Sequence, residues 1–240
     1  MLFIIVLLIL SAAVLKDAVE AFLSIFAADQ TDLDSIPSHP GGTANDLLPI
    51  AHEFVRLVQS TDEALPKPGL DKASLAIIGG VAVIFHRGYR QTRDIDFAIS
   101  PSKLGPQIKQ ALVQTHPTRC AFYADMFKFL AEDGWVQIDL VPEVKLPCLP
   151  SNMAPIRTMN PTQVPVADPL TLGVQKAFSC QARGTSHGSA KDAEDVWYML
   201  TSIPDQAYLA SLTPSQREVL SEAAGALQEH STRDWAGLLP

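Results

Sequence analysis

The sequence predicts an α/β domain built on a small mixed sheet, with helical additions at both ends. Three observations lead to this prediction. Residues 74–78 are a short apolar run that leads into paired glycines and an apolar helix start. Residues 93–100 and 135–142 alternate apolar and polar side chains, as half-buried strands do, and the chain beyond residue 168 has the apolar spacing of successive helices. Strands and helices that alternate along a chain are typical of this class.

The composition is that of a globular chain with a substantial core, because 47% of its 240 residues are hydrophobic and 18% are charged. The formal net charge of −8 disfavours nucleic acid as a partner unless a local basic patch exists, whereas a nucleotide carried with magnesium ions is less affected. The three cysteines include no C-x-x-C pair, which fits neither a zinc site nor a disulfide framework. We therefore expect reduced thiols and a cytoplasmic protein.

Residues 1–28 are predicted to form an apolar N-terminal helix or a membrane anchor. The uninterrupted apolar run, residues 1–15, is shorter than the roughly 20 residues of a membrane span, although an extension to residue 26 would reach that length. A signal peptide normally has a lysine or arginine before its apolar core, and this chain has none there. An anchor, a signal peptide and a docked helix all stay open. If residues 1–26 associate with a membrane, we expect the catalytic part to face the cytosol.

A linker rich in turn formers, residues 29–45, separates this segment from the predicted core, residues 46–168. The core begins with a helix over residues 46–59, whose apolar side chains recur every three or four residues and give the helix one buried face.

Gly79 and Gly80 end the first strand, and a helix over residues 81–86 is expected to follow at once. Glycines let a backbone approach a ligand closely, and the free N–H groups at a helix start attract phosphate. A tight turn without any ligand is the alternative. If the pair binds phosphate, a valine at Gly80 should block binding and leave the fold largely intact.

Asp94, Asp96 and Asp139 are the candidate catalytic and metal-binding residues. With the period of two of a strand, Asp94 and Asp96 share one face, and Asp139 stands alone on the polar face of the later strand. Burying two like charges this close together is costly unless a cation compensates them, so the pair indicates Mg²⁺, although an edge strand facing water would also tolerate it. Arg90 and Thr92 precede the pair and could contact phosphate, although an exposed loop arginine is more often only solvated.

Residues 142–169 are rich in proline, and we expect a long irregular connection there. The helical C-terminal part, residues 169–240, follows it. Its first helix is predicted to begin after the capping residue Asp168, to extend to about residue 183 and to carry Lys176 in its middle.

A second C-terminal helix over residues 190–202 places Asp192 and Asp195 on one face, because they are three positions apart. Two acidic residues in a first helical turn can also simply complement the helix dipole. A third helix, residues 213–230, begins with a capping-box pattern and carries no evident chemistry.

The order of these motifs resembles a known group of enzymes. A strand, Gly-Gly, a helix, the pattern H-x-G-x-R-x-T-x-D-I-D from His86 to Asp96 and a lone aspartate on a later strand are similar to the polymerase-beta-like nucleotidyltransferase superfamily. The likeness is strongest to the AbiEii-type toxin nucleotidyltransferases and extends over about residues 75–200. It implies a nucleotidyltransferase fold, an NTP held at the Gly-Gly pair, and two Mg²⁺ ions that bridge the triphosphate to Asp94 and Asp96.

The C-terminal part contributes to the same resemblance. A helix with a lysine, then an arginine, then K-D-x-x-D is similar to the second half of the family signature. By this resemblance, Lys176 would reach the triphosphate and Asp195 would help to orient the basic side chains.

The sequence therefore predicts a magnesium-dependent nucleotidyltransferase that moves a nucleotide from an NTP to a hydroxyl acceptor, which could be an RNA end, a protein or a small molecule. Two-metal phosphoryl transfer needs one ion on the leaving triphosphate and one at the incoming hydroxyl, and three convergent carboxylates can hold both. Asp139 would belong mainly to the ion at the acceptor. A membrane-anchored D-x-D glycosyltransferase and a non-catalytic nucleotide-binding or scaffold protein stay open, but the Gly-Gly pair and the K-D-x-x-D helix count against the glycosyltransferase.

Overall fold

The computed structural model describes residues 37–66, 69–183, 185–204, 208–235 and 237–240. The chain divides into two compact units, residues 1–38 and residues 39–240, and the elements below belong to the second. The predicted N-terminal helix or anchor over residues 1–28 lies outside the described residues. Within the part that is described, no helix has both the length and the apolar character needed to cross a membrane.

The described part of the second unit contains seven α-helices and six strands. In chain order they are α1 (Ala44–Ser60), β1 (Ser74–Ile78), α2 (Gly79–His86), β2 (Asp94–Ser100), α3 (Leu104–Thr115), β3 (Cys120–Tyr123), β4 (Met126–Ala131), β5 (Gly134–Pro142), β6 (Ala154–Pro155), α4 (Pro169–Ala182), α5 (Ser186–Thr201), α6 (Tyr208–Ser211) and α7 (Pro214–His230).

The six strands form one mixed sheet in the order β3-β4-β5-β2-β1-β6, so the predicted α/β class with a small mixed sheet is confirmed. β2 and β5 are parallel, and the other neighbours are antiparallel. One face of the sheet is covered by apolar side chains, and Phe54 of α1 packs its ring against Phe97, Phe127 and Phe129. Because β2 and β5 are covered on this face, their polar residues lie on the other one.

A second apolar cluster joins the C-terminal helices. Val174, Ala177 and Cys180 of α4 pack there with buried residues of α5, α6 and α7. α4 begins where the sequence predicts, because the Asp168 side chain accepts a hydrogen bond from the Thr171 N–H at 2.9 Å. The capping box at Thr213 is also confirmed.

Two sequence predictions of local structure need adjustment. α5 begins at Ser186 instead of residue 190, and α2 begins at Gly79 itself, so the glycines are the first two helical residues and not a turn before the helix. The proline-rich connection is irregular as expected and contains only the 3₁₀ turn Glu143–Lys145 and the short β6. The three cysteines are free thiols, with Cys120 and Cys180 buried.

Candidate active site

The three predicted carboxylates lie on the two central strands of the sheet. In the parallel pairing of β2 with β5, Asp96 is aligned with Asp139, and Asp94 is aligned with Gln137. All three aspartates are half-buried, whereas Ile95 alternates with the first two and is fully buried. The fold therefore brings Asp94, Asp96 and Asp139 to one uncovered face at the centre of the sheet.

The environment of Asp96 is strongly acidic. Burial raises the pKa of its carboxyl group, the charges of Asp94 and Asp139 raise it further, and the result is about 7. The Lys176 ammonium and a hydrogen bond from the Gly80 N–H act in the opposite direction and do not cancel this rise. Negative charge is therefore in excess at this point of the sheet.

The two flanking carboxylates have hydrogen-bond partners of their own. The Thr92 hydroxyl donates to Asp94 Oδ1 at 2.5 Å. Gln137 Nε2 donates to Asp139 Oδ2 at 2.7 Å, and Lys109 Nζ lies 3.8 Å from Asp139 Oδ1. Among the residues that the structure describes, no three carboxylate, imidazole or thiol side chains converge closely enough to hold one metal ion as they stand. Thr92, Gln137 and Lys109 are the groups that engage the two flanking aspartates in this arrangement.

The two glycines leave room for the carboxylate strand. Gly79 has a φ of +64°, and a Cβ at this position would overlap the Asp96 carboxylate. A Cβ on Gly80 would lie 2.5 Å from the Thr92 Oγ1 atom and 2.9 Å from its Cβ. The expectation that valine at Gly80 leaves the fold intact is therefore wrong, because the valine side chain would collide with the threonine that holds Asp94.

Opposite the sheet, Asp195 of α5 pairs two cations. Arg90 Nε and Nη2 donate to its two oxygens at 2.8 and 2.7 Å, and Lys176 Nζ lies 3.2 Å from Asp195 Oδ2 and 2.9 Å from Asp192 Oδ1. Burial raises the pKa of Asp195, but the Arg90 hydrogen bonds and the Lys176 charge outweigh it and hold that pKa below its ordinary value. Burial likewise lowers the pKa of Lys176, and the charges of Asp195 and Asp192 outweigh it and raise that pKa.

The structure thus brings all nine sequence-predicted site residues to one region, in two groups. Asp94, Asp96 and Asp139 lie on the sheet, with Gly79, Gly80 and Thr92 against two of them. Arg90, Lys176 and Asp195 form the ion network on the helical side. The Lys176 charge acts on Asp96 and so links the two groups.

Three further residues at the site were not singled out from the sequence. Lys109 approaches Asp139 from α3. Tyr89 donates its hydroxyl hydrogen to Asp195 and stacks on Tyr198 with 3.9 Å between ring centroids. Burial and the positive charges of Arg90 and Lys176 lower the pKa of the third residue, Lys191, while the charges of Asp195 and Asp94 oppose that shift, so this exposed ammonium is within electrostatic range of both groups.

Of these, Lys191 had a signal in the sequence, since it is the lysine of K-D-x-x-D. Lys109 had none, because nothing near it in the chain indicates that α3 crosses towards β5. Tyr89 lies inside the H-x-G-x-R-x-T pattern, at a position that the pattern leaves open.

Comparison with known proteins gives the following matches. A family model described as nucleotidyl transferase AbiEii toxin, type IV toxin–antitoxin system, matches residues 64–237. No curated protein matches the chain. Among solved structures, the crystal structure of an antigenic nucleotidyltransferase-like protein from Paracoccidioides brasiliensis is similar, with a TM-score of 0.48 and 16% sequence identity, covering 82% of this chain and 98% of that one. The family match contains both groups of site residues.

Proposed function

We propose that this chain, which belongs to the AbiEii nucleotidyl transferase toxin family, transfers a nucleotide from an NTP to a hydroxyl group of an acceptor and depends on Mg²⁺. The family match supports nucleotidyl transfer in general. The dependence on Mg²⁺, the roles of individual residues and the acceptor class are parts of our proposal. The observation that supports it most strongly is the alignment of Asp96 with Asp139 in adjacent parallel strands, with Asp94 on the same face.

The chemistry of these residues fits a magnesium site. Carboxylate oxygens are the ligands that Mg²⁺ prefers, and the raised pKa of Asp96 shows an excess of negative charge that a divalent cation would relieve. Asp94 and Asp96 would hold the ion that accompanies the triphosphate, and Asp139 would contribute to the second. Mg²⁺ bound there would neutralise phosphate charge and lower the pKa of the acceptor hydroxyl.

The residues of the chain itself have separate tasks in this proposal. The N-terminus of α2, free of side chains at its first two positions, would approach the triphosphate closely. Lys176, protonated because its pKa is raised, would face the same group, and Lys191 would add a second ammonium from the rim. Arg90, whose Nε and Nη2 are bound by Asp195, would fix the loop before β2 and only secondarily meet phosphate.

Asp139 would act on the acceptor, either by orienting its hydroxyl group or by accepting its proton. Gln137 donates to one of its oxygens and Lys109 lies near the other, and both would keep the carboxylate oriented until the acceptor arrives. The acceptor hydroxyl would therefore enter on the β5 side of Asp96, and the triphosphate on the β1 side.

Incubating the purified protein with each radiolabelled NTP, Mg²⁺ and a crude RNA or protein extract tests the proposal, because transfer of label identifies donor and acceptor together. Asp94→Asn and Asp96→Asn should abolish transfer, and Asp125→Asn, which changes an exposed aspartate in the β3–β4 turn, is the matched control. Full transfer by either site variant would refute the two-metal assignment. NTP binding without transfer under any condition would favour a non-catalytic nucleotide-binding protein.

The family match favours nucleotidyl transfer over the D-x-D glycosyltransferase alternative. No observation on the described residues points specifically to a nucleotide sugar, so we propose no second function.

A further inference from the structure

A cavity of about 420 Å³ lies beside Asp96, on the side of α4. Its lining includes Gly79, Asp96 and Lys176, which belong to the candidate active site. It also includes an apolar group that the proposed chemistry does not use: Leu146, Pro147 and Phe178. A volume of this size is within the range, roughly 300–1,000 Å³, of pockets that enclose small organic ligands.

The wall formed by α4 is fixed by the packing of its opposite side. Leu172, Gln175 and Ser179 line the cavity and are spaced three and four positions apart, so they share one face of the helix. Val174, Ala177 and Cys180 of the same helix are buried in the C-terminal apolar cluster. The α4 wall is therefore fixed by helix packing, whereas Leu146 and Pro147 of the lining belong to the irregular connection after β5.

Phe178 is the unusual member of this lining, because its side chain is large, apolar and still 41% exposed. Large aromatic residues normally bury most of their area in a folded protein. An exposed aromatic ring within a cavity that reaches a phosphate site is the arrangement with which proteins stack nucleobases.

We infer that this cavity holds the base and ribose of the donor NTP and that the base stacks on Phe178, an inference that rests on the proposed nucleotidyl transfer. A triphosphate between Gly79 and Lys176 carries its nucleoside on the adjoining phosphate, and this cavity shares both residues with the triphosphate position. Asp139 itself is not in the lining, so a nucleoside in this cavity would leave that carboxylate to the acceptor.

Some polar groups of the cavity wall are already engaged within the protein. Gln175 Nε2 donates to the Cys148 carbonyl at 3.0 Å, and the Ser179 hydroxyl donates to the Gln175 carbonyl at 3.0 Å. Arg183 Nε lies 2.5 Å from Asp192 Oδ2. Strong discrimination between bases requires side chains whose hydrogen bonds only one base satisfies. The remaining guanidinium nitrogens of Arg183 and the Lys145 ammonium could supply such hydrogen bonds, and the stack on Phe178 should itself favour purines because they stack over a larger area.

Calorimetry with ATP, GTP, CTP, UTP and inorganic tripolyphosphate, each with Mg²⁺, separates the nucleoside from the phosphates. Phe178→Ala should weaken binding of every NTP by about tenfold or more, the effect of losing one base–aromatic stack, and leave tripolyphosphate affinity unchanged. Phe178→Tyr keeps the ring and should bind like the unaltered protein. Phe122→Ala is the matched control, because Phe122 is 42% exposed and lies on β3 at the far edge of the sheet.

A second variant protects the test against a folding defect at Phe178. Ala182 is exposed at the end of α4 and lines the cavity, so Ala182→Trp adds bulk there without disturbing the core. It should also weaken NTP binding and spare tripolyphosphate.

Tripolyphosphate binding combined with unchanged NTP affinity in Phe178→Ala and Ala182→Trp would overturn the inference and leave the proposed function standing. Absence of binding by both tripolyphosphate and NTPs to the unaltered protein would overturn the proposed function and the inference with it.

Discussion

The carboxylates on the two sides of the candidate site differ in how completely positive groups compensate them. On the helical side, the carboxylates of Asp195 and Asp192 are almost fully buried and are paired with Lys176 and Arg90 inside the protein. On the sheet side, three aspartates lie on one face, and only Lys109 and the more distant Lys176 compensate their negative charge. The pKa of Asp96 therefore rises to about 7, with burial as the largest cause. The cations of the helical side compensate its carboxylates within the protein, and we propose that a bound cation compensates those of the sheet side.

Because of this difference, we expect the helical side to contribute to stability and the sheet side to contribute to ligand binding and the reaction. A complete ion network contributes to the folded state and holds its cations in fixed positions, which suits the binding of a triphosphate. An excess of like charge costs stability, and such a cost on two adjacent central strands is expected where a bound ligand offsets it. Substitutions on the two sides should therefore change stability with opposite signs.

The largest effect is expected for Asp96→Asn. Transfer should fall below detection, because the central carboxylate is lost, while the free energy of unfolding in EDTA should rise by about 1 kcal/mol or more, since a buried like charge is removed. Urea denaturation at pH 8 and the label-transfer assay measure the two quantities on one preparation. Mg²⁺ should raise the melting temperature of the unaltered protein and have little effect on this variant. A variant less stable than the unaltered protein in EDTA would contradict the excess-charge description.

On the helical side, Asp195→Asn should destabilise the protein by about 3 kcal/mol or more, because removing one partner of a buried ion pair leaves the others uncompensated. Chemical denaturation measures the change. Glu194→Gln is the control on the same helix: its pair with Arg233 is about one-third exposed on both sides and should contribute less than about 1 kcal/mol. Equal losses of stability in the two variants would show that the buried network stabilises the protein no more than the partly exposed pair does.

Asp139→Asn tests whether the three carboxylates of the sheet side have different roles in NTP binding and in transfer. Transfer should fall by at least about a hundredfold, the lower range for losing one general-base or metal-activation contribution, while NTP affinity with Mg²⁺ stays near that of the unaltered protein. Affinity and transfer rate are to be measured on the same folded sample. Near-normal transfer would remove Asp139 from the site, and lost NTP affinity would refute the separate roles.

The smallest effect is expected for Lys191→Met at the boundary between the two sides. NTP affinity should fall by about tenfold, as for loss of one charged hydrogen bond, without a change in the urea midpoint. Lys103→Met, an exposed lysine preceding α3, serves as the control. If Lys191→Met binds NTP as tightly as the control variant does, the ammonium does not reach the phosphates.

Much of the site could be predicted from the sequence because its signals are local. Strand periodicity alone places Asp94 and Asp96 on one face, and the caps at Asp168 and Thr213 depend on hydrogen bonds that span three residues. Packing between helices is not local, and this explains the misplaced start of α5: Ser189 donates its hydroxyl to the Cys180 carbonyl of α4 at 3.1 Å. That contact holds residues 186–189 against α4, and no pattern within those residues indicates it.

The sequence by itself determined the α/β class, the family and the three aspartates, because these follow from the order of residue types along the chain. Only the tertiary structure decided that Asp96 lies beside Asp139, that Arg90 is bound by Asp195 and that a cavity containing Phe178 opens next to both groups. Arg90 and Asp195 are 105 positions apart, and the register of two strands separated by α3, β3 and β4 depends on how the whole sheet packs. Local periodicity contains no information on such contacts, since they form only when distant segments bury their apolar faces together.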